Sequence, residues 1–274
     1  MVRGRATVPD TCWFDDERRM IMTRIVITAP RGHMDKLIVA AAHKRDDIQI
    51  VGGVGTPGRD YIGKDIGIAA GMGEEVGAPV YDDIEKIIDK CDLVVDFSTV
   101  ELSMKVLRSC LKHGKAYICG TTGFNEEQTA ELMAAGEKIP MMKAANTSYV
   151  VNVMRKLLGE AAQKLGDKCK IEIIEMHSET KVDAPSGTAI ELAEEMASWA
   201  PDKKYEDIAF HSVRAGNTPS THRVIFGCMG EKMEISHDAY DWTCYAEGAC
   251  DAVSFMAGCR PGLYTMEDVI EAEL

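Results

Sequence analysis

Residues 24–54 read RIVITAPRGHMDKLIVAAAHKRDDIQIVGGV, and the fold is decided there. Arg24-Ile25-Val26-Ile27-Thr28 is short and rich in β-branched residues, which suit a pleated, half-buried surface. Ala29-Pro30-Arg31-Gly32 turns the chain. Met34 to Lys44 then carries Leu37, Ile38 and Ala41 at helical spacing, which predicts a helix with one apolar face. Ile48 to Val54 is a second strand. A strand, a helix and a strand in succession make a β-α-β unit. Units of this kind build parallel sheets, because the crossover helix returns the chain to the same edge.

The pattern recurs downstream. Ile84 to Lys90 predicts a helix, and Leu93-Val94-Val95-Asp96-Phe97 is a nearly continuous apolar run, as expected of a strand buried on both faces. Leu102 to His113 predicts a helix with Val106, Leu107, Cys110 and Leu111 as its apolar stripe. Ala116 to Cys119 is a strand, Glu126 to Gly136 a helix, and Met141 to Ala144 a strand. Gly52 to Gly77 is glycine-rich with weak periodicity and reads as a long loop able to move.

Beyond Asn146 the character changes. Ser148 is placed to cap a helix from Val150 to Leu165. Ile171 to Met176 predicts a strand and Glu191 to Trp199 a helix. Val224 to Cys228 and Lys232 to His237 predict antiparallel strands around Met229-Gly230-Glu231, and Val253 to Leu274 returns to helical spacing. The fold class that results is α/β: a Rossmann-like parallel-sheet domain with a second, α+β domain carrying a mixed or antiparallel sheet.

Composition narrows the function classes. The chain has 274 residues, 46% of them hydrophobic and 27% charged, which is ordinary for a globular protein. A net charge of -13 with no dense basic run argues against nucleic acid as a partner. No apolar stretch is long enough to span a bilayer, so no membrane is expected. Met1 to Arg19 is polar and is not a secretory signal; Met20 and Met22 are each alternative starts, and residues 1–22 read as an N-terminal extension. The nine cysteines are Cys12, Cys91, Cys110, Cys119, Cys169, Cys228, Cys244, Cys250 and Cys259. They show no C-x-x-C spacing and are odd in number, so neither a zinc site nor a disulfide framework is expected, and a reducing cytoplasm fits best.

Three stretches bear chemistry. A dinucleotide-binding turn needs glycines, so that backbone approaches the pyrophosphate at a helix N-terminus. In Arg31-Gly32-His33-Met34 only Gly32 stands at such a position, and Asp35 beside the phosphates is unfavourable. Arg31 is placed to compensate, or to meet a ribose phosphate. The second strand lacks the carboxylate that receives a ribose, and Arg59 follows it, mildly favouring a 2′-phosphate. Asp96-Phe97-Ser98 and Gly120-Thr121-Thr122-Gly123 end parallel strands, where open sheets bind ligands; they read equally as caps and turns. Glu175 to Ala189 follows a strand and enters a helix. Pro185-Ser186-Gly187-Thr188 offers free backbone N–H groups and two hydroxyls for a carboxylate, while Lys181 and His177 supply a proton and positive charge for an imine or conjugated acid. The same stretch also reads as a capped helix with a surface lysine. His237 ends a strand near Asp238 and Asp241; His211, His222, His43 and His113 have no ligand spacing and read as structural or surface residues, and no metal site is expected.

This last stretch resembles the signature of dihydrodipicolinate reductases, roughly E-x-H-H-x-x-K-x-D-x-P-S-G-T-A, at Glu175, His177, Lys181, Asp183 and Pro185 to Ala189. The resemblance extends in order through Asp96-Phe97-Ser98, Gly120 to Phe124, Ala144-Ala145-Asn146, Ser212 to Gly216, His222, Gly230-Glu231, Tyr245 to Ala249 and Gly262-Leu263-Tyr264. It implies a nucleotide-binding domain over 23–147 completed by 250–274, and a substrate-binding and oligomerisation domain over 148–249. It implies reduction of dihydrodipicolinate with NADH or NADPH on the way to diaminopimelate and lysine, a small dicarboxylate substrate and a homotetramer. Lys181 is then the proton donor and His177 an acid or charge stabiliser, with Ser178, Ser186, Gly187 and Thr188 at the substrate. Arg31, Gly32, His33, Met34, Phe97, Ser98, Gly120, Thr122, Ala144, Asn146 and Thr147 contact the cofactor. The sequence departs from the family at Ser178, where a second histidine is usual, at Ala29 and Asp35 for two glycines, and at Trp242 for an arginine. Those departures leave two alternatives: a sibling reducing a different imine or enamine acid, and a non-catalytic binding paralogue.

Overall fold

The computed structural model describes residues 22–200 and 202–272. The expectation for an extension over residues 1–22 therefore lies almost wholly outside the described residues. The chain divides into two units, Met1–Thr147 with Tyr245–Leu274, and Ser148–Cys244.

Strand β1 (Thr23–Thr28) is followed by α1 (His33–Ala42), β2 (Ile48–Val54), α2 (Ile66–Ala70), β3 (Val80–Tyr81), β4 (Leu93–Asp96), α3 (Val100–His113), β5 (Ala116–Cys119), α4 (Glu126–Ala135) and β6 (Pro140–Lys143). The second unit contributes α5 (Tyr149–Leu165), β7 (Lys170–His177), α6 (Gly187–Trp199), β8 (Ile208–Arg214), β9 (Ser220–Cys228) and β10 (Glu231–Ala239). The chain then returns through α7 (Thr243–Met256), β11 (Gly262–Tyr264) and α8 (Met266–Ala272).

The first sheet is parallel throughout, in the order β11-β6-β5-β4-β1-β2-β3. Period-two alternation sends Ile25, Ile27, Leu93, Val95 and Ile118 to one face, against α1 and α7. Val26, Val94, Tyr117 and Cys119 go to the other, against α3. Both faces are covered, which is why β4 reads as an unbroken apolar run. The strand order reverses between β4 and β1, so the loops after these two strands leave on opposite faces and open a crevice at their carboxyl ends. The second unit is a mixed sheet, β10-β9-β7-β8, with β7 and β8 parallel and the other pairs antiparallel. Helices α5 and α6 cover one face, burying Met154, Leu158, Leu192 and Met196 against Ile171, Ile173, Val224 and Phe226.

Four expectations are corrected. Ile84 to Lys90 is not one helix but two 3-10 turns, because Ile87 adopts a non-helical conformation between them. Gly52 to Gly77 is not a bare loop: it contains α2, and the Asp65 carboxylate staples it by accepting the N–H groups of Gly67, Val76, Gly77 and Ala78 at 2.8–2.9 Å. Val253 to Leu274 is not continuously helical, since β11 interrupts it and pairs with β6 at the sheet edge. Cys169 and Cys228, expected to be free, form a disulfide, 59 residues apart in sequence. The β7–β9 ladder pairs Lys170 with Gly227 and so sets the flanking cysteines side by side, a proximity that spacing along the chain cannot reveal. No metal-binding group of His, Cys, Asp or Glu occurs among the described residues.

Candidate active site

At the carboxyl edge of the parallel sheet, the β1–α1 turn is closed by the Gly32 N–H donating to Ala29 O at 2.6 Å. Gly32 caps α1 with no side chain to occupy the first-turn N–H groups. A side chain on Gly32 would overlap Asp35 Oδ2 and crowd Ala29 O, so the backbone there stays bare. Arg31 is exposed and ion-paired to Asp60 at 2.7 Å, with its guanidinium 5.0 Å from the Tyr61 ring centroid. His33 and Met34 begin the helix. Phe97 lies against Gly120, where a Cβ would strike its ring. Ser98 donates to Asp96 Oδ1 at 2.5 Å, and Thr122 is exposed on the following loop. Ala144, Asn146 and Thr147 follow β6; the Thr147 hydroxyl donates to Tyr245 O at 2.6 Å. These candidate cofactor residues thus gather at the ends of β1, β4, β5 and β6. A bare glycine backbone at an uncapped helix N-terminus suits a diphosphate, so the residues present fit a dinucleotide, with Asp35 as the one discordant group.

In the second unit the candidate residues cluster where β7 ends. Glu175 is fully buried, and its carboxylate accepts from both Arg214 terminal nitrogens at 2.8 and 2.9 Å and from His177 Nδ1 at 2.5 Å. Burial works against its charge, but the Arg214, Ser212 and His177 hydrogen bonds outweigh it and hold Glu175 at about 2. His177, 6% exposed, is pushed down by burial, which the Glu175 carboxylate only partly offsets. Lys181 Nζ pairs with Asp183 Oδ1 at 2.9 Å. Ser178 Oγ meets Thr180 Oγ1 at 2.9 Å. Ser186 is buried and caps α6, accepting the Ala189 N–H at 3.2 Å; Gly187 and Thr188 open the helix.

Sequence reasoning placed Glu175, Arg214 and His222 within the family resemblance but gave them no role at the site, and it missed His237. His222 and His237 are buried rather than at the surface. The ladders pair Glu175 with His222 and His222 with His237, so the three histidines line up across β7, β9 and β10. The His222 ring meets the His177 ring edge-on at 5.3 Å and lies 3.4 Å, Nε2 to Oγ, from Ser186. Burial, then the His177 and His237 charges, drive His222 down to about 3, so it is neutral at physiological pH. What brings them together is strand register, which exists once the strands pair.

A parallel sheet reversing at β1, a glycine-capped turn after that strand, and a second unit presenting a buried histidine, a lysine and a capped helix start are the parts expected of a dinucleotide-dependent oxidoreductase. Comparison with known proteins makes this specific. The pattern of the dihydrodipicolinate reductase N-terminus matches residues 23–147, and that of its C-terminus matches residues 150–270. The chain is 38% identical to 4-hydroxy-tetrahydrodipicolinate reductase of Alkalilimnicola ehrlichii, over 90% of this chain and 98% of that protein. It is 37% identical to the same-named enzyme of Pseudomonas fluorescens, over 91% and 99% respectively. Among solved structures, dipicolinate-bound dihydrodipicolinate reductase from Paenisporosarcina sp. TG-14 superposes with TM-score 0.75 at 26% identity, over 91% of this chain and 100% of that one. The chain belongs to the dihydrodipicolinate reductase family, whose members are NAD(P)H-dependent oxidoreductases.

Proposed function

We propose that this protein reduces 4-hydroxy-tetrahydrodipicolinate, through its dehydrated form, to tetrahydrodipicolinate in the diaminopimelate and lysine pathway, with Lys181 as proton donor. The single observation that carries the assignment of roles is the cluster at the end of β7. There His177 ends β7, and Lys181 and the α6 N-terminus follow on the adjoining loop, with Glu175 of the same strand paired to Arg214.

Bound NADH or NADPH supplies the hydride. The protein's part is to bind, orient and protonate. Asp183 Oδ1 holds the Lys181 ammonium in place at 2.9 Å. From there Nζ–H delivers the proton that balances the hydride. Glu175 fixes the His177 ring through Nδ1, leaving Nε2 for substrate. The Gly187 and Thr188 N–H groups lie in the first turn of α6, whose dipole favours a carboxylate, and the Thr188 and Ser178 hydroxyls add donors. The solved relative binds dipicolinate, a planar dicarboxylate, which supports a small dicarboxylate here. Arg31, Gly32, His33, Met34, Phe97, Ser98, Gly120, Thr122, Ala144, Asn146 and Thr147 form the proposed cofactor surface. A homotetramer in the cytoplasm completes the proposal. Partly exposed Ile174, Met176, Val213 and Ile225 on the uncovered face of the second sheet favour association. No helix among those residues is long and apolar enough to cross a membrane.

Absorbance loss of NADH or NADPH with substrate generated in place tests the activity. Turnover with either cofactor is expected. Cofactor binding without turnover would instead point to a different acid as substrate, a consequence of Ser178 and Trp242.

A further inference from the structure

Asp35 sets this β1–α1 turn apart. It lies in the first turn of α1 and is fully buried. Its Oδ1 accepts the Phe97 N–H at 3.3 Å. Its Oδ2 has no partner and fills the space where a side chain on Gly32 would begin, with the Ala29 carbonyl oxygen bordering the same space. A buried, unpartnered carboxyl oxygen is therefore aimed at the backbone that receives the diphosphate.

Neighbouring Asp96 shows the contrast. Its Oδ1 accepts from Thr28 Oγ1 and from the Ser98 hydroxyl and N–H, and its Oδ2 from Tyr117 Oη, Ser103 Oγ and Thr121 Oγ1. Both Asp96 oxygens accept from several donors, whereas Asp35 receives only backbone N–H groups, its own and that of Phe97, and its Oδ2 receives none. An ionised Asp35 beneath a diphosphate would set like charges together in a dry site and cancel the helix dipole that draws the anion. The acid form removes that charge and gives Oδ2 a hydrogen to donate.

We infer that Asp35 is a proton-linked determinant of cofactor affinity: the turn accepts the dinucleotide diphosphate with Asp35 in its acid form, so binding takes up a proton wherever Asp35 of the free protein is ionised. The inference rests on the cofactor reading above and adds what that reading lacks, a reason for an aspartate at a glycine position. The titratable groups facing Asp35 are Asp96 at the end of β4 and Tyr61 in the segment after β2. Arg31, Arg59 and Asp60 act on the same Tyr61 hydroxyl, and His33 begins the helix. Arg31 is already engaged by Asp60. Burial first, and the Asp96 charge second, push the Asp35 carboxyl well above the usual range, in the direction the geometry requires.

Calorimetric titration of the full chain with NADH, in buffers of different ionisation enthalpy from about pH 6 to about pH 9, reads the proton directly, because the NADH diphosphate does not titrate there. Below the Asp35 midpoint of the free protein, binding is expected to be proton-neutral and independent of pH; above it, uptake should approach one proton per NADH, with affinity falling about tenfold per pH unit. Asp35→Asn should bind without proton uptake, with pH-independent affinity at least tenfold tighter than wild type at the alkaline end. Asp35→Gly should behave the same way. Wild-type binding that stays proton-free and pH-independent up to about pH 9, or uptake that survives in Asp35→Asn, overturns the inference alone. Absence of NADH and NADPH binding in all three proteins at every pH overturns the cofactor reading and the inference with it. Should neither variant fold, the wild-type proton count decides by itself.

Discussion

Ala29 has φ of 38°, the one positive value for a non-glycine residue among the described residues, in the turn that begins the nucleotide crevice. An L-residue with a Cβ pays roughly 1–2 kcal/mol in that region. Ala29→Gly is therefore expected to stabilise the protein by about 0.5–1 kcal/mol, after the greater freedom of glycine in the unfolded chain is subtracted; chemical denaturation at constant m-value measures it. Lys181 belongs to the same scale. Removing its amine with Lys181→Ala should lower turnover by about 10²–10⁴-fold while cofactor affinity measured by titration stays nearly unchanged. Equal loss of both would count against a proton-donor role. The signature stretch was legible from sequence because each residue in it acts within a few positions of the others. Glu175 and His177 are two apart, Lys181 and Asp183 two apart, and Ser186 caps the helix it precedes. The row itself was not legible, because His222 meets His177 from the neighbouring strand β9 and His237 meets His222 from β10.

At the scale of elements, the segment between β2 and β3 shows how one carboxylate organises a stretch without periodicity. Asp65 holds four backbone N–H groups from two separate parts of that segment. Burial opposes its charge, but the backbone hydrogen bonds prevail and depress its titration below the usual carboxylate range. A depressed folded-state value means the stabilisation is present above the unfolded-state value, near 4, and is lost as pH falls through the folded one. Asp65→Ala should cost about 2–3 kcal/mol at neutral pH, and the difference from wild type should shrink in acid; urea melts at neutral and acid pH would show it. Helical stripes such as that of α3 were legible because apolar spacing records a buried face directly. Strand β11 was not: three residues give no period to read, and Gly262–Tyr264 became a strand only because the β6 edge was there to pair with.

For the whole molecule, the uncovered face of the mixed sheet supplies the remaining prediction. Sedimentation at micromolar concentration is expected to give the mass of four chains, and Val213→Glu, which puts a charge on that face, should shift the protein toward smaller species with its fold retained. By itself the sequence determined the parallel α/β class, the mixed second unit and the Glu175–Ala189 signature, because helical and strand periods, caps and local motifs are written within a few residues. Only the tertiary structure decided the histidine row, the Cys169–Cys228 pairing and the burial of Asp35. Each depends on strand register or on which segment packs over which. Those are set by long-range burial summed over the sheet, and no local run of residues encodes that sum.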